Sequence, residues 1–423
     1  MSGLDRALAC CRTDLPMTDS ATAAPITIDM RHPAFRDDPH PLLRAVRERG
    51  RAERDVVGIW LVSHHADTSA GLRSSRLSRE PWRSPVYRQY RPFIADSTLE
   101  RTTEHWMLFN DPPKHTRLRR LVNGAFKPPV IAALRDRITA LTDELLGALP
   151  QQGGFELMAG FAQQLPVRVI CDVLGLPPAD FAQTKLWSDA LAVIVEPVVR
   201  REQRAAAGRA AEEMVAYLRG HIEARRAGSR RDDLLSLLVA AQGGEGQLSA
   251  DELLGNLVLL FIAGHETTTN LIGNGLLTLL RHPAELARLR ADPALTGSAV
   301  EEMLRYEGSV TMVSRMTVEP YPIGDTVIPP EEVLYFMLGP ANRDPAVFAD
   351  PERFDVGRVP NAQLGFGAGI HFCLGAPLAR LEGEIAFTRL LQRYPTLRLA
   401  EAAPCWRHLI NLRGLEALPL IAG

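Results

Sequence analysis

Phe366-Gly367-Ala368-Gly369-Ile370-His371-Phe372-Cys373-Leu374-Gly375 is the stretch on which the fold turns. It sets one cysteine in a glycine-rich loop, and the helix-like run Ala376–Arg393 follows directly. A cysteine so placed sits near a helix N-terminus, where backbone N–H groups and the helix dipole favour the thiolate. The glycines let the backbone come close to something flat and bulky. The combination suits a sulfur ligand to haem iron rather than a zinc knuckle or a disulfide.

The chain around this loop has an ordinary globular composition, with 423 residues, 46% hydrophobic and 23% charged. Lys+Arg number 48 against Asp+Glu 50, so no global field favours nucleic acid or an anionic membrane. The five cysteines (Cys10, Cys11, Cys171, Cys373 and Cys405) are odd in number and form no CxxC, which fits a reducing cytoplasm. Residues 1–24 lack the apolar core of a signal peptide and read as a loose tail, with Met17 as a second candidate start. No apolar run reaches membrane-spanning length. Neither an internal repeat nor a low-complexity linker divides the rest, so one helix-rich domain over 25–423 is expected.

Along the chain, Pro39–Arg49 reads as a short helix closed by Gly50, and Val56–Ser63 as a strand. The segment from Ser74 to Trp106 lacks periodicity and carries Trp82, Tyr87, Tyr90 and Phe93, as a functional loop does. From Thr116 the spacing is helical, with breaks at Pro128-Pro129, Gly153-Gly154 and Pro177-Pro178. Arg200–Arg231 is arginine-rich, but the interspersed Glu202, Glu212, Glu213 and Glu223 make it a solvated helix face. After Glu319 short strands and turns take over, returning near Leu397 and over Leu409–Leu420.

Three helical segments carry chemistry. Ser249-Ala250-Asp251-Glu252 is a capping box, and its helix can run to about His282, roughly 50 Å. Midway, Ala263, Glu266, Thr267 and Asn270 share one face, and the Thr267 hydroxyl can bond back to the Ala263 carbonyl. His265-Glu266 does not open an H-E-x-x-H zinc site, because Thr269 stands at the second ligand position. His115 and Arg119 lie four apart on another helix and project from one side. Ser298–Glu301 reads as a second capping box, opening a helix in which Glu302 and Arg305 can pair.

Phe366–Gly375 resembles the F-G-x-G-x-H-x-C-x-G signature of the cytochrome P-450 enzymes, the haem-thiolate monooxygenases, with all six fixed positions matched. Ala263–Thr268 resembles that family's A-G-x-[D/E]-T-[T/S] oxygen-activation motif, and Glu302–Arg305 its E-x-x-R motif. The fold so implied is mainly α with small β-sheets, haem being sandwiched between a long distal helix and a proximal cysteine loop. The implied cofactor is haem b (iron protoporphyrin IX), with Cys373 as iron ligand and Ala263, Phe366 and Gly375 against the macrocycle. His115, Arg119, Arg315 and His371 would grip the propionates. Thr267 and Glu266 would serve oxygen activation, Glu266 by relaying protons. Glu302, Arg305 and Arg353, from Pro351-Glu352-Arg353-Phe354, would form a structural triad locking the cysteine loop. Glu307-Gly308-Ser309 departs from the family's usual proline, which unsettles the local backbone.

The resemblance also implies a substrate pocket drawn from the loop Trp82–Trp106, Leu259, Ile262, Val310–Val313 and Ile410–Asn411. Its apolar character suggests a lipophilic small molecule, such as a terpenoid, steroid, fatty acid or polyketide. Dioxygen is the co-substrate. Electrons would come from a separate ferredoxin and an NAD(P)H-dependent ferredoxin reductase, docking near Arg117, Arg120 and Lys127. The alternative is a haem-thiolate enzyme of non-oxygenase type (peroxygenase, isomerase or dehydratase), against which the Glu266-Thr267 pair argues. A gas sensor without turnover lacks an effector domain here.

Overall fold

The computed structural model describes residues 33–423 apart from 56–57, 92–96, 198, 229–230, 243–246 and 401–403. The expected tail, 1–24, and Phe93 lie outside the described residues.

Helices build most of the molecule, and one organises the rest: α9 (Ala250–Arg281), 32 residues long. The Ser249 hydroxyl accepts the Glu252 N–H at 3.1 Å, and the Glu252 carboxylate accepts the Ser249 N–H at 3.0 Å. That reciprocal cap satisfies two donors that every helix start leaves open. From Glu252 to Leu279 every residue of α9 is buried except Ala263, Gly264 and Thr267. A helix apolar on all sides must be enclosed on all sides. Around it pack α3 (Thr98–Thr103), α6 (Gln164–Leu174), α7 (Phe181–Ala192), α8 (Arg201–Arg226), α10 (Thr296–Tyr306) and α11 (Ala376–Arg393). The preceding helices α1 (His40–Arg49), α2 (His65–Arg73), α4 (Lys114–Val122) and α5 (Arg135–Ala148) complete the main set. Gly264 sits so close to α6 that a Cβ would lie 2.8 Å from Ile170.

The strands are short and peripheral. One sheet has the order β1 (Ala52–Arg54), β2 (Trp60–Val62), β8 (Val333–Met337), β5 (Met312–Thr317), β3 (Leu77–Ser78), with only β2 and β8 parallel. A second pairs β4 (Gly153–Glu156), β12 (Pro419–Ala422) and β9 (Arg398–Leu399), and the hairpins β6 (Tyr321–Ile323) with β7 (Thr326–Ile328) and β10 (Cys405–Trp406) with β11 (Leu415–Ala417) stand apart. No helix among the described residues is long and apolar enough to cross a membrane.

Several sequence expectations need correction. Of the expected Val56–Ser63 strand, Trp60–Val62 forms β2, Gly58, Ile59 and Ser63 lie outside it, and Val56 and Val57 fall outside the described residues. The aperiodic Ser74–Trp106 segment holds β3, the helical turn Pro81–Arg83, the helix Pro85–Tyr90 and α3, each too short to show a period. Ser298 is not an N-cap. α10 begins at Thr296, and the Ser298 hydroxyl donates to the Leu295 and Val356 carbonyls, while Glu301 pairs with Arg380.

The E-x-x-R pair forms as expected: both side chains are fully buried, and Arg305 donates twice to Glu302, each at 2.7 Å. Its third member is Arg358, not Arg353. The Arg358 Nε donates to both Glu302 oxygens at 3.1 Å, whereas Arg353 offers its carbonyl to Arg305 at 3.0 Å. Position 353 supplies backbone because the turn carries the chain past Arg305 before Arg358 can face the carboxylate.

Candidate active site

Ala263, Gly264 and Thr267 of α9 and the cysteine loop face one cavity, which encloses about 1840 Å³ including its opening to solvent. Ala263 and Gly264 are small, so that wall stays open. The Thr267 hydroxyl makes the expected bond to the Ala263 carbonyl at 3.1 Å, and the Thr267 carbonyl accepts from Ser309 at 2.7 Å.

Opposite lies Cys373. Gly367 and Gly369 adopt φ of +69° and +72°, and a Cβ on Gly369 would come within 2.5 Å of the Leu72 carbonyl. Only glycine fits both demands at that position. Above Gly367 and Gly375 a Cβ would meet nothing within 4 Å, which is open floor for a flat group. The Cys373 N–H donates to the Phe366 carbonyl at 2.9 Å, and the Arg380 guanidinium lies 4.6 Å from the Phe366 ring centre. Burial pushes the Cys373 thiol up, although the Gly375 and Ala376 N–H groups and the charges of Arg119 and Arg380 favour the thiolate. The loop thus presents thiolate donors, but a cation at the sulfur is needed to tip the balance.

On the rim, His115, Arg119, Arg315 and His371 come together as expected, joined by Arg79, which the sequence reading missed. The His115 and His371 rings are 4.3 Å apart, and the His115 Nδ1 is buried without a partner. Burial, then neighbouring guanidiniums, push His115 down to about 4 and His371 to about 2. Arg315 is pushed down to about 9 by burial and by Arg79. Buried cations in this number call for anions.

Of the expected pocket residues, Leu259, Ile262, Val310, Val313, Asn411 and, from the early loop, Trp106 line the cavity, joined by Met107 and Leu108 just beyond that loop. Ile410 does not. It packs against the Phe35, Leu43 and Met312 cluster, and Leu412 faces the cavity beside the expected Asn411. That stretch is held by the Glu196 carboxylate, between α7 and α8, which accepts the N–H groups of Ile410, Asn411 and Leu412. The Glu307-Gly308-Ser309 departure is also braced. Glu307 is an ion-pair partner of Arg413 at 2.5 Å and of His40 at 3.0 Å.

Glu266 is not a free acid on the pocket wall. It is buried, accepts from Arg407 at 2.6 Å and lies 3.5 Å from the His265 Nε2. It stands between the main cavity and a second, polar one lined by Lys185, Asp189, His265 and Arg407. Burial opposes its charge, but His265 and Arg407 outweigh it and hold the carboxyl well below its usual range. Asp189, His265 and Glu266 bring ligand atoms within 4.8 Å of one another. Lys185 and Arg407 already pair with the two carboxylates, so the group is an ion network rather than a metal centre. Asn270, expected on the same face as Thr267, packs against Gly414. Glu382 was not foreseen either; it lines the cavity, fully buried with both oxygens unpartnered, and burial drives its carboxyl far up.

The His265 network carries a pH dependence. Burial lowers the His265 imidazolium, but Asp189 and Glu266 outweigh it and raise it to about 9. The stabilisation is therefore complete below about pH 6.5 and fades as pH rises through about 9. Urea unfolding of the parent should weaken over that interval, and His265→Gln should flatten the dependence. Parallel curves for the two proteins would refute it.

A cleft with cations on its rim, a thiol on its floor and apolar walls is built for a flat, dianionic macrocycle. A family model described as Cytochrome P450 matches residues 180–402. Cytochrome P450 monooxygenase PikC of Streptomyces venezuelae is 40% identical over 412 residues, 94% of this chain and 95% of its own. The solved structure of the polyketide synthase cytochrome P450 PksS of Bacillus subtilis superimposes with a TM-score of 0.85 at 35% identity, covering 94% of this chain and all of that one (100%). P450BioI, solved in complex with hexadec-9Z-enoic acid ligated acyl carrier protein, gives 0.86 at 35% identity over 92% and 99%. The chain belongs to the cytochrome P450 family, the haem-iron monooxygenases.

Proposed function

We propose that this chain binds haem b through Cys373 and hydroxylates or otherwise oxidises a lipophilic small molecule. Residues 25–423 would act as one catalytic unit, with electrons from a separate ferredoxin and its NAD(P)H-dependent reductase. The observation that carries the reading is the rim of unneutralised buried cations facing the same cavity as Cys373 and the one opening in α9. When bound, haem supplies dioxygen activation, consuming two electrons and two protons, with one oxygen atom entering the substrate and the other leaving as water.

The residues of this chain do the rest. Arg119 donates to the Ile370 and Phe372 carbonyls at 2.9 and 2.6 Å, holding the loop on both sides of the thiol. Ala263 and Gly264 leave width for the macrocycle. The Thr267 hydroxyl can turn from the Ala263 carbonyl to donate into the cavity. Glu266, ionised on the wall between the two cavities, can take a proton from the polar side and release it on the Thr267 side. Leu259, Ile262, Val310 and Val313 favour an apolar substrate and exclude water. Arg120 and Lys127 are exposed and free to meet an acidic ferredoxin, whereas Arg117 is committed to Glu252 at 2.5 Å and drops out of the expected patch. A cytoplasmic setting fits both the NAD(P)H supply and the free thiols of Cys171, Cys373 and Cys405.

The test is turnover of the purified haem protein with a bacterial ferredoxin, its reductase and NADPH under ¹⁸O₂, on fatty acids, steroids and macrolactones. A product carrying one ¹⁸O atom is expected. Turnover with peroxide alone, and none with dioxygen, would favour the peroxygenase alternative; purified folded protein without haem would sink the reading.

A further inference from the structure

One carboxylate ties two walls of the main cavity together. The helical turn Val193–Val195 follows α7, and Val195 lines the cavity from that side. Asn411 and Leu412 line it from another. Glu196 spans the two. Its Oε2 accepts the Ile410 N–H at 2.7 Å and the Asn411 N–H at 3.0 Å, and its Oε1 accepts the Leu412 N–H at 3.0 Å. The Asn411 side-chain amide adds a bond to the Val195 carbonyl at 3.0 Å. Among the described residues, every hydrogen bond between 193–196 and 410–412 passes through Glu196 or that amide.

The other side of the stretch is fixed independently. The Asn411 carbonyl accepts the Thr311 N–H at 3.0 Å, the Ile410 carbonyl accepts the Thr311 hydroxyl at 2.8 Å, and Leu412 bridges to Val310. Those two carbonyls are thus spent on Thr311, and three successive N–H groups are left for the opposite side. Donors held away from water need an acceptor, and consecutive N–H groups suit an anion. Glu196 is that anion, and among the described residues it has no cation within 4.0 Å. Burial pushes its carboxyl up, opposed by the three N–H groups and by Arg407, whose own ion pair is with Glu266. When the clasp opens, water can solvate both the carboxylate and the N–H groups it releases, which offsets much of what the bonds contribute when closed. The clasp is therefore a tie that can yield, unlike a strand ladder.

We infer that Glu196 is a positioning residue for substrate selection: it clasps 410–412 to the turn after α7, holds the Asn411–Leu412 wall inward and excludes wide molecules. It stands behind the lining and acts through those two residues. The inference rests on the proposed reading of this cavity as the seat of a lipophilic small molecule. A slender chain fits with the clasp closed, whereas a rigid ring system needs the wall to give way.

The experiment compares the parent holoprotein with Glu196→Ala and Glu196→Gln. Dodecanoic acid and progesterone are titrated by calorimetry, and amide hydrogen exchange is followed over the peptide spanning Arg407–Arg413. In Glu196→Ala the ratio of progesterone to dodecanoic acid affinity should rise about tenfold, and exchange over the peptide should quicken by a similar factor. Glu196→Gln keeps one acceptor oxygen and should fall between. A general loss of stability would weaken both ligands alike and leave the ratio where it was. An unchanged ratio overturns the inference, whether or not exchange quickens. A changed ratio with unchanged exchange overturns it too, because the wall has not been released. Should Glu196→Ala fail to fold, Glu196→Gln decides on the same two readings. A parent that binds neither ligand counts against the proposed function; the inference then stands if Glu196→Ala admits progesterone and falls if it does not.

Discussion

Cys373→Ser protein, reduced under carbon monoxide, is expected to lose the Soret band that marks cysteinate-ligated haem, while keeping the far-UV dichroism of the parent. The fold should survive because the loop is held by bonds that do not involve sulfur. The Cys373 N–H to the Phe366 carbonyl, the two bonds from Arg119 and the positive-φ glycines all remain. The chemistry should not survive. A serine hydroxyl is far harder to ionise than a thiol, and it gives iron a hard oxygen in place of the soft, electron-donating sulfur. Oxygenation should fall to background, with the band displaced to shorter wavelength. A variant that kept the parent's band would show that another side chain ligates the iron.

The second large effect is expected at Glu302. Its carboxylate accepts from Arg305, Arg358, the Asn361 amide and the Asp355 N–H, with no exposure of the side chain. Glu302→Ala strands two guanidiniums, one fully buried, and breaking a buried pair from one side costs about 3–5 kcal/mol. Arg358→Ala should cost less, because Arg305 still satisfies the acid. Arg353→Ala should lie within about 0.5 kcal/mol of the parent, since only its carbonyl takes part. Urea midpoints followed by far-UV dichroism give the ranking. Equal losses at Arg353 and Arg358 would contradict it.

Those two arginines mark where reading the chain stopped working. Local signals were legible: the Ser249–Glu252 cap, the span Ala376–Arg393, the Thr267 bond to the Ala263 carbonyl and the Glu302–Arg305 pair all lie within one or two helical turns, or along a single helix. Periodicity and capping rules act at that range. Partners from distant segments were not. Arg358 reaches Glu302 across 56 positions that include strands β5 to β8, and it lies in an irregular stretch where no period says which of two arginines turns inward. Arg79 sits beside a two-residue strand. Nothing in the sequence marks it out from Arg76, Arg83, Arg88, Arg91 and Arg101 in the same aperiodic stretch. Ile410 was displaced by one step in a loop whose side-chain directions are set by Glu196, more than two hundred positions earlier. Ser298 had the right spacing for a cap, yet the helix had already begun.

The segment Arg407–Arg413 bears on how the molecule is made. Glu196, Glu266 and Glu307 emerge from the ribosome long before their partners, at separations of 216, 141 and 106 positions from Leu412, Arg407 and Arg413. Until that segment arrives, these acids lack the partners it brings, and only His40 beside Glu307 and His265 beside Glu266 are already at hand. Helices can form as they emerge, but the walls of the cavity cannot close in vectorial order. Closure of the cavity wall is thereby deferred until Arg407–Arg413 has been made, whatever has folded before it.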